Sequence, residues 1–118
     1  YLTDGEITHF NELANSMMLY VGVGDKTSRL KVAEKLKSGE LSEMTLSMMM
    51  YKYQALIDFD VNNIDYVYKD IDEKWGYMIS QGATTFWETL KGAEDFGGAG
   101  SLCHGWSAIP AYFYKKYN

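Results

Sequence analysis

With 118 residues the chain is long enough for one domain or part of one and too short for two. Its 47% hydrophobic and 15% aromatic content excludes disorder, since that much apolar surface can form a core. A formal charge of −5 without any basic stripe excludes phosphate-backbone recognition, and no apolar run approaches the ~20 residues of a membrane span, so neither nucleic acid nor membrane is expected as a partner.

The chain starts at Tyr1, a helical pattern follows almost at once, and no basic, apolar and small-residue leader precedes it. The chain therefore reads as a piece of a longer protein. From about Thr8 to Val21, Phe10, Leu13, Ala14, Met17 and Met18 recur at three and four residue spacing, which predicts a helix with those residues on one face. Gly22 and Gly24 end it. Asp25, Thr27 or Ser28 can cap a second helix with Leu30, Ala33 and Leu36 as its stripe, closed by Gly39.

Ser42 or Glu43 opens the third segment, TLSMMMYKYQALIDF, which is apolar on every side and so predicts burial all round. A fourth helix is expected from about Asn62 to Ser80, with Ile64, Val67, Tyr68, Ile71, Trp75 and Met78 inward, Asp65, Lys69, Asp72 and Glu73 outward, and Gly82 as its left-handed stop. The last helix is placed from near Ser101 to Tyr117, kinked or broken by Pro110, the only proline. Short connections between such helices predict an all-α fold of antiparallel α-hairpins. Between the last two helices, Gly82 to Gly100 is glycine-rich and carries no helical stripe, and its aromatic residues argue for an ordered functional loop.

That loop holds the candidate chemistry. In GATTFWET, Glu88 follows Trp87, and a carboxylate packed against an indole loses part of its water, an environment that suits acid or base work. The plain alternative is a solvated loop acid beside a packed tryptophan. Glu94 and Asp95 form a second acidic pair, read as solvated. FGGAGS resembles an anion-binding loop but lacks the ending of a phosphate loop, so it reads as a tight turn with positive φ angles. Cys103 and His104, as neighbours on a helix, would diverge by about 100° and cannot form a nucleophile–base dyad. His104, in the first turn of a helix, can present a ring nitrogen to a ligand hydroxyl or act as a core or capping residue. His9 reads as a surface residue. A single cysteine and two isolated histidines support neither a disulfide nor a metal site, and no cofactor is expected. The methionines read as core filler.

The stretch Gly82 to Tyr112, GATTFWETLKGAEDFGGAGSLCHGWSAIPAY, resembles the closing part of the catalytic domain of α-L-rhamnosidase-like proteins, glycoside hydrolase family 78. The matching elements are the Gly-Ala-Thr-Thr turn from Gly82 to Thr85, the pair Trp87 and Glu88, and Ser101 with His104. This resemblance implies that the chain, residues 1–118, is the C-terminal portion of one (α/α)6 barrel, a six-hairpin toroid. It further implies inverting hydrolysis of a terminal α-L-rhamnoside, with Glu88 as general base, Trp87 walling the sugar subsite and His104 bonding a sugar hydroxyl.

Inverting chemistry needs a second carboxyl group roughly 6.5 to 9.5 Å from the first, and the family's acid-bearing segment has no counterpart in residues 1–81. The expected partners are therefore a carbohydrate substrate and the rest of the catalytic domain, and the 118 residues alone are expected to be inactive. Leu90 stands where the family commonly has tryptophan, which leaves another sugar open. The reading from a different class is a non-catalytic helical scaffold or carbohydrate-binding domain. A partial barrel would expose apolar edges, so self-association or marginal folding is expected.

Overall fold

The computed structural model describes residues 10–118. They form a slab of 43 × 41 × 20 Å whose Cα radius of gyration is 15.1 Å, larger than the about 13 Å of a spherical domain of ~100 residues. The short dimension leaves depth for about two helices packed on each other. Among the described residues no helix is long and apolar enough to cross a membrane.

The first helix, α1 (Glu12–Tyr20), is capped by Asn11, whose side chain accepts from Ala14 N at 2.7 Å. It starts later than the periodicity predicts. Phe10 is not helical: its carbonyl accepts from Ser42 N at 2.9 Å, and Ser42 O accepts from Glu12 N at 2.9 Å. The buried residues are also different, Glu12, Ser16 and Leu19 in place of the predicted stripe, with Phe10, Met17 and Met18 exposed. An ion pair with Lys52, 2.6 Å away, draws Glu12 inward and sets the buried face of the helix. The predicted start at Thr8 and the surface position of His9 lie outside the described residues.

Asp25 caps α2 (Lys26–Lys37) by accepting from Ser28 N at 2.7 Å. Ala33 and Leu36 are buried as predicted, whereas Leu30 is exposed. A 3₁₀ turn, Leu46–Met48, leads into α3 (Met49–Phe59), and another, Val61–Asn63, into α4 (Ile64–Ser80). Seven residues of α3 are buried, Met49 and the run from Lys52 to Ile57, because the helix lies between two apolar clusters. One joins Leu19, Ala33, Leu36 and Leu41 to Ala55 and Leu56. The other joins Met49, Tyr53 and Ile57 to Ile71 and Trp75 of α4 and to Phe113 of the last helix. Burying such side chains stabilises by roughly 1.5–3 kcal/mol each relative to leaving them in water. The methionines divide: Met49 and Met78 are core, while Met17, Met18, Met48 and Met50 are exposed.

The outward set of α4 is exposed as predicted, and Gly82 ends it at φ 81°. The loop beyond is ordered, with a 3₁₀ turn at Gly92–Glu94 and a single turn, α5 (Asp95–Gly98), that passes through left-handed φ at Phe96 and Gly97. The final helix, α6 (Ile109–Tyr117), begins eight residues after the predicted start at Ser101. Pro110 occupies its first turn, where its missing N–H would have had no helical partner in any case. Ser101 to Ala108 is loop, apart from a 3₁₀ turn at Gly105–Ser107. His104 therefore precedes a 3₁₀ turn and is not in the first turn of a helix.

Candidate active site

The site is built from two loop segments held against each other. Glu88 N donates to Ser101 O at 2.9 Å, His104 N donates to Phe86 O at 2.7 Å, and the Thr85 hydroxyl donates to Leu102 O. The first segment is tied to the helices as well: Leu46 N donates to Glu88 O at 2.8 Å, and Trp87 N lies 3.2 Å from Met78 Sδ. Buried backbone groups are thus paired, as a loop inside a packed structure requires.

One glycine makes this packing possible. A Cβ on Gly100 would lie 1.9 Å from Gly92 O, an overlap no side chain tolerates, so residues 92 to 95 can close onto residue 100 only because it is glycine. Gly92, at φ 56°, lies beneath the Trp87 ring, and a Cβ there would stand 3.1 Å from the indole.

These contacts bring Glu88 and His104 together. Glu88 Oε2 is 4.0 Å from His104 Nδ1, and the two side chains are 26% and 27% exposed. The separation is too long for a direct hydrogen bond and leaves the carboxylate able to accept from a bound water, while both side chains remain reachable. His104 also lines a cleft of about 380 Å³ with Ser47, Met48, Met50, Tyr51 and Trp106. Trp87 lines a different cleft, of about 650 Å³, with Tyr77, Gln81, Leu90 and Leu102. Its ring also packs against the larger apolar cluster.

Sequence reasoning passed over Trp106. Its indole is 81% exposed and faces the His104 cleft, while the next residue, Ser107, is buried and its carbonyl accepts from Trp75 Nε1 at 2.9 Å. The available signal was its place two residues after His104. Cys103 is exposed. Among the described residues no three His, Cys, Asp or Glu side chains converge as a metal site would require.

A second group of ionic side chains lies between the helices. The Lys52 ammonium, 2% exposed, donates to Glu12 Oε1 at 2.6 Å and stands 3.9 Å from Asp70 Oδ2. Asp70 also accepts from the Tyr53 hydroxyl and from Lys74, each at 2.8 Å. Burial alone would push the Lys52 ammonium down, but Asp70 and Glu12 hold it above its ordinary value. Burial first, and then Asp70, push the Tyr53 hydroxyl well above the usual tyrosine range. This group ties α1 to α3 and α4.

No curated protein and no solved structure matches the chain. Residues 2–117 match the bacterial alpha-L-rhamnosidase 6 hairpin glycosidase domain. The all-helical arrangement of the described residues agrees with such a domain of antiparallel helices. By that match, spanning nearly its whole length, the chain belongs to the bacterial alpha-L-rhamnosidase six-hairpin glycosidase family.

Proposed function

We propose that the chain supplies the general base of an inverting glycosidase that cleaves terminal α-L-rhamnosides, and that this base is Glu88. The observation that carries the reading is the pairing of Glu88 with His104 at 4.0 Å, both half-buried and both fixed by backbone hydrogen bonds between their loops. In this reaction Glu88 takes a proton from a water as that water attacks the anomeric carbon, and the configuration inverts. His104 bonds a sugar hydroxyl and helps orient the ring. Trp87 opens on a separate cleft, and Trp106 is the indole that lines the cleft of His104.

The leaving oxygen needs a proton from a second carboxyl group roughly 6.5 to 9.5 Å from the base. We assign that acid to a part of the toroid outside these 118 residues, which also covers the apolar side chains left exposed here. Alone, the chain then turns over no aryl rhamnoside. The test is the Glu88→Gln variant of the completed toroid, assayed on an aryl α-L-rhamnoside with the product anomer followed by NMR. The reading requires β-L-rhamnose as first product and a rate loss of about 10²- to 10⁴-fold in the variant. Rhamnose binding without turnover by the completed protein would favour a carbohydrate-binding scaffold.

A further inference from the structure

Both backbone groups of Glu88 are bonded. Its N–H donates to Ser101 O, which ties one loop segment to the other, and its carbonyl accepts from Leu46 N at 2.8 Å, which ties the loop to the stretch before α3. Among the described residues this is the only backbone hydrogen bond between residues 41–48 and residues 82–104. The Glu88 carboxylate stands 4.0 Å from His104 Nδ1, beyond direct hydrogen-bonding reach, so the place it takes follows from the backbone that carries it.

The stretch before α3 is held in turn by the start of α1. Ser42 N donates to Phe10 O, Met44 N donates to Glu12 Oε2 at 3.2 Å, and Leu46 N donates to Glu88 O, so three alternate residues lead from α1 to the loop. A cleft of about 420 Å³ is lined both by this stretch, from Glu43 to Leu46, and by the residues after Glu88, from Thr89 to Lys91. Side-chain packing therefore does not fill the space between the two, and the hydrogen bonds set their spacing.

Glu12 is 4% exposed, and Lys52 Nζ donates to its other oxygen at 2.6 Å. Stability alone does not call for a carboxylate there, because an apolar pair of similar volume often replaces a buried ion pair without loss. What an apolar side chain cannot do is accept the Met44 N–H. A carboxylate has two oxygens, so one holds Lys52 while the other holds Met44. We infer that Glu12 is a positioning residue for the general base: by fixing Met44 it fixes Leu46, and through the Leu46 hydrogen bond it sets where Glu88 meets its water. The inference rests on the reading of Glu88 as the base. A misplacement on the order of 1 Å can slow a reaction by about 10²-fold, so release of this one stretch lowers kcat while the sugar, held by other groups, binds as before.

The test compares two double variants of the completed toroid on an aryl α-L-rhamnoside. Glu12→Leu with Lys52→Met removes the ion pair and leaves Met44 N without an acceptor. Glu12→Gln with Lys52→Met removes the same charges, but its amide oxygen is free to accept from Met44 N. Asp70 keeps Lys74 in both, so neither leaves a charge buried alone, and both are expected to fold. The first should lower kcat about tenfold or more with KM unchanged, and the second should run near the unmodified rate. Glu12→Gln alone is an independent route: Lys52, the charged donor, claims the one amide oxygen, Met44 N is left unpaired, and kcat falls as in the first double variant.

Azide added to Glu88→Ala separates this inference from the assignment of the base. Azide needs no base, so its reaction should run equally fast with either set of changes at positions 12 and 52. Equal kcat in the two double variants, or an azide reaction slowed by the first of them as much as hydrolysis is, would overturn the inference. Hydrolysis untouched by Glu88→Ala would remove the base assignment itself, and this inference with it.

Discussion

Lys52 and Glu12 form a salt bridge of 2.6 Å between α3 and α1, with side chains only 2% and 5% exposed. Two charges so far from water are tolerated because each is also satisfied elsewhere: Glu12 Oε2 accepts from Met44 N at 3.2 Å, and Lys52 lies 5.6 Å from the centre of the Tyr66 ring. Replacing Lys52 by Met keeps the stem and leaves Glu12 buried without its cation, while Asp70 keeps Lys74. We predict a loss of about 3–5 kcal/mol in urea denaturation. Glu12→Gln in the same chain should restore part of it.

The same cluster sets an alkaline limit. Lys52 and Tyr53 both hold their protons more tightly folded than unfolded, where they titrate near 10. Their contribution to stability is therefore complete below about pH 10 and is lost as pH rises above it toward the folded values. Stability measured against pH should fall above that point, and the tyrosinate absorbance of Tyr53 should appear only with unfolding. Ionisation of every tyrosine before the loss of helix would contradict this.

Gly100→Ala forces a methyl group to within 1.9 Å of a backbone carbonyl, which cannot rotate away as a side chain could. The predicted cost is about 1–3 kcal/mol, with displaced amide resonances from Gly92 to Asp95. Gly105→Ala is the control: its Cβ would meet nothing within 4 Å and its φ is not positive, so a change within about 0.5 kcal/mol is expected.

Trp106 is 81% exposed, Ile79 70%, Val21 65% and Val61 64%. In a toroid such side chains would meet neighbouring hairpins, and without those they favour contact between copies. Light scattering of the 118-residue chain should show a mass that rises above the monomer with concentration. A constant monomeric mass at high concentration would contradict this.

Much of the fold was legible because helical burial leaves a period of 3.6 residues. In α4 the spacing of Val67, Ile71, Trp75 and Met78 names the buried face, and Gly82 names the end. In α1 the same rule failed, since a buried ion pair obeys charge complementarity rather than hydropathy, and Glu12 displaced the methionines. The start of α6 was misplaced because Ser101 to Ala108 is fixed by hydrogen bonds to residues 85–88, which no local pattern records. Glu88, Trp87 and His104 were named from sequence as candidates. That Glu88 and His104 face each other while Trp87 opens on another cleft depends on the loop contact alone.

Chemical rescue of Glu88→Ala in the completed toroid tests the assignment of Glu88 most directly. Azide needs no deprotonation and can occupy the space left by the carboxylate, so it can attack the anomeric carbon while the aryl oxygen departs with a proton from the general acid. The account predicts that the variant is nearly inert on an aryl α-L-rhamnoside in plain buffer and regains rate with azide, forming the β-configured rhamnosyl azide. Hydrolysis by Glu88→Ala at the unmodified enzyme's rate, without azide, would contradict it.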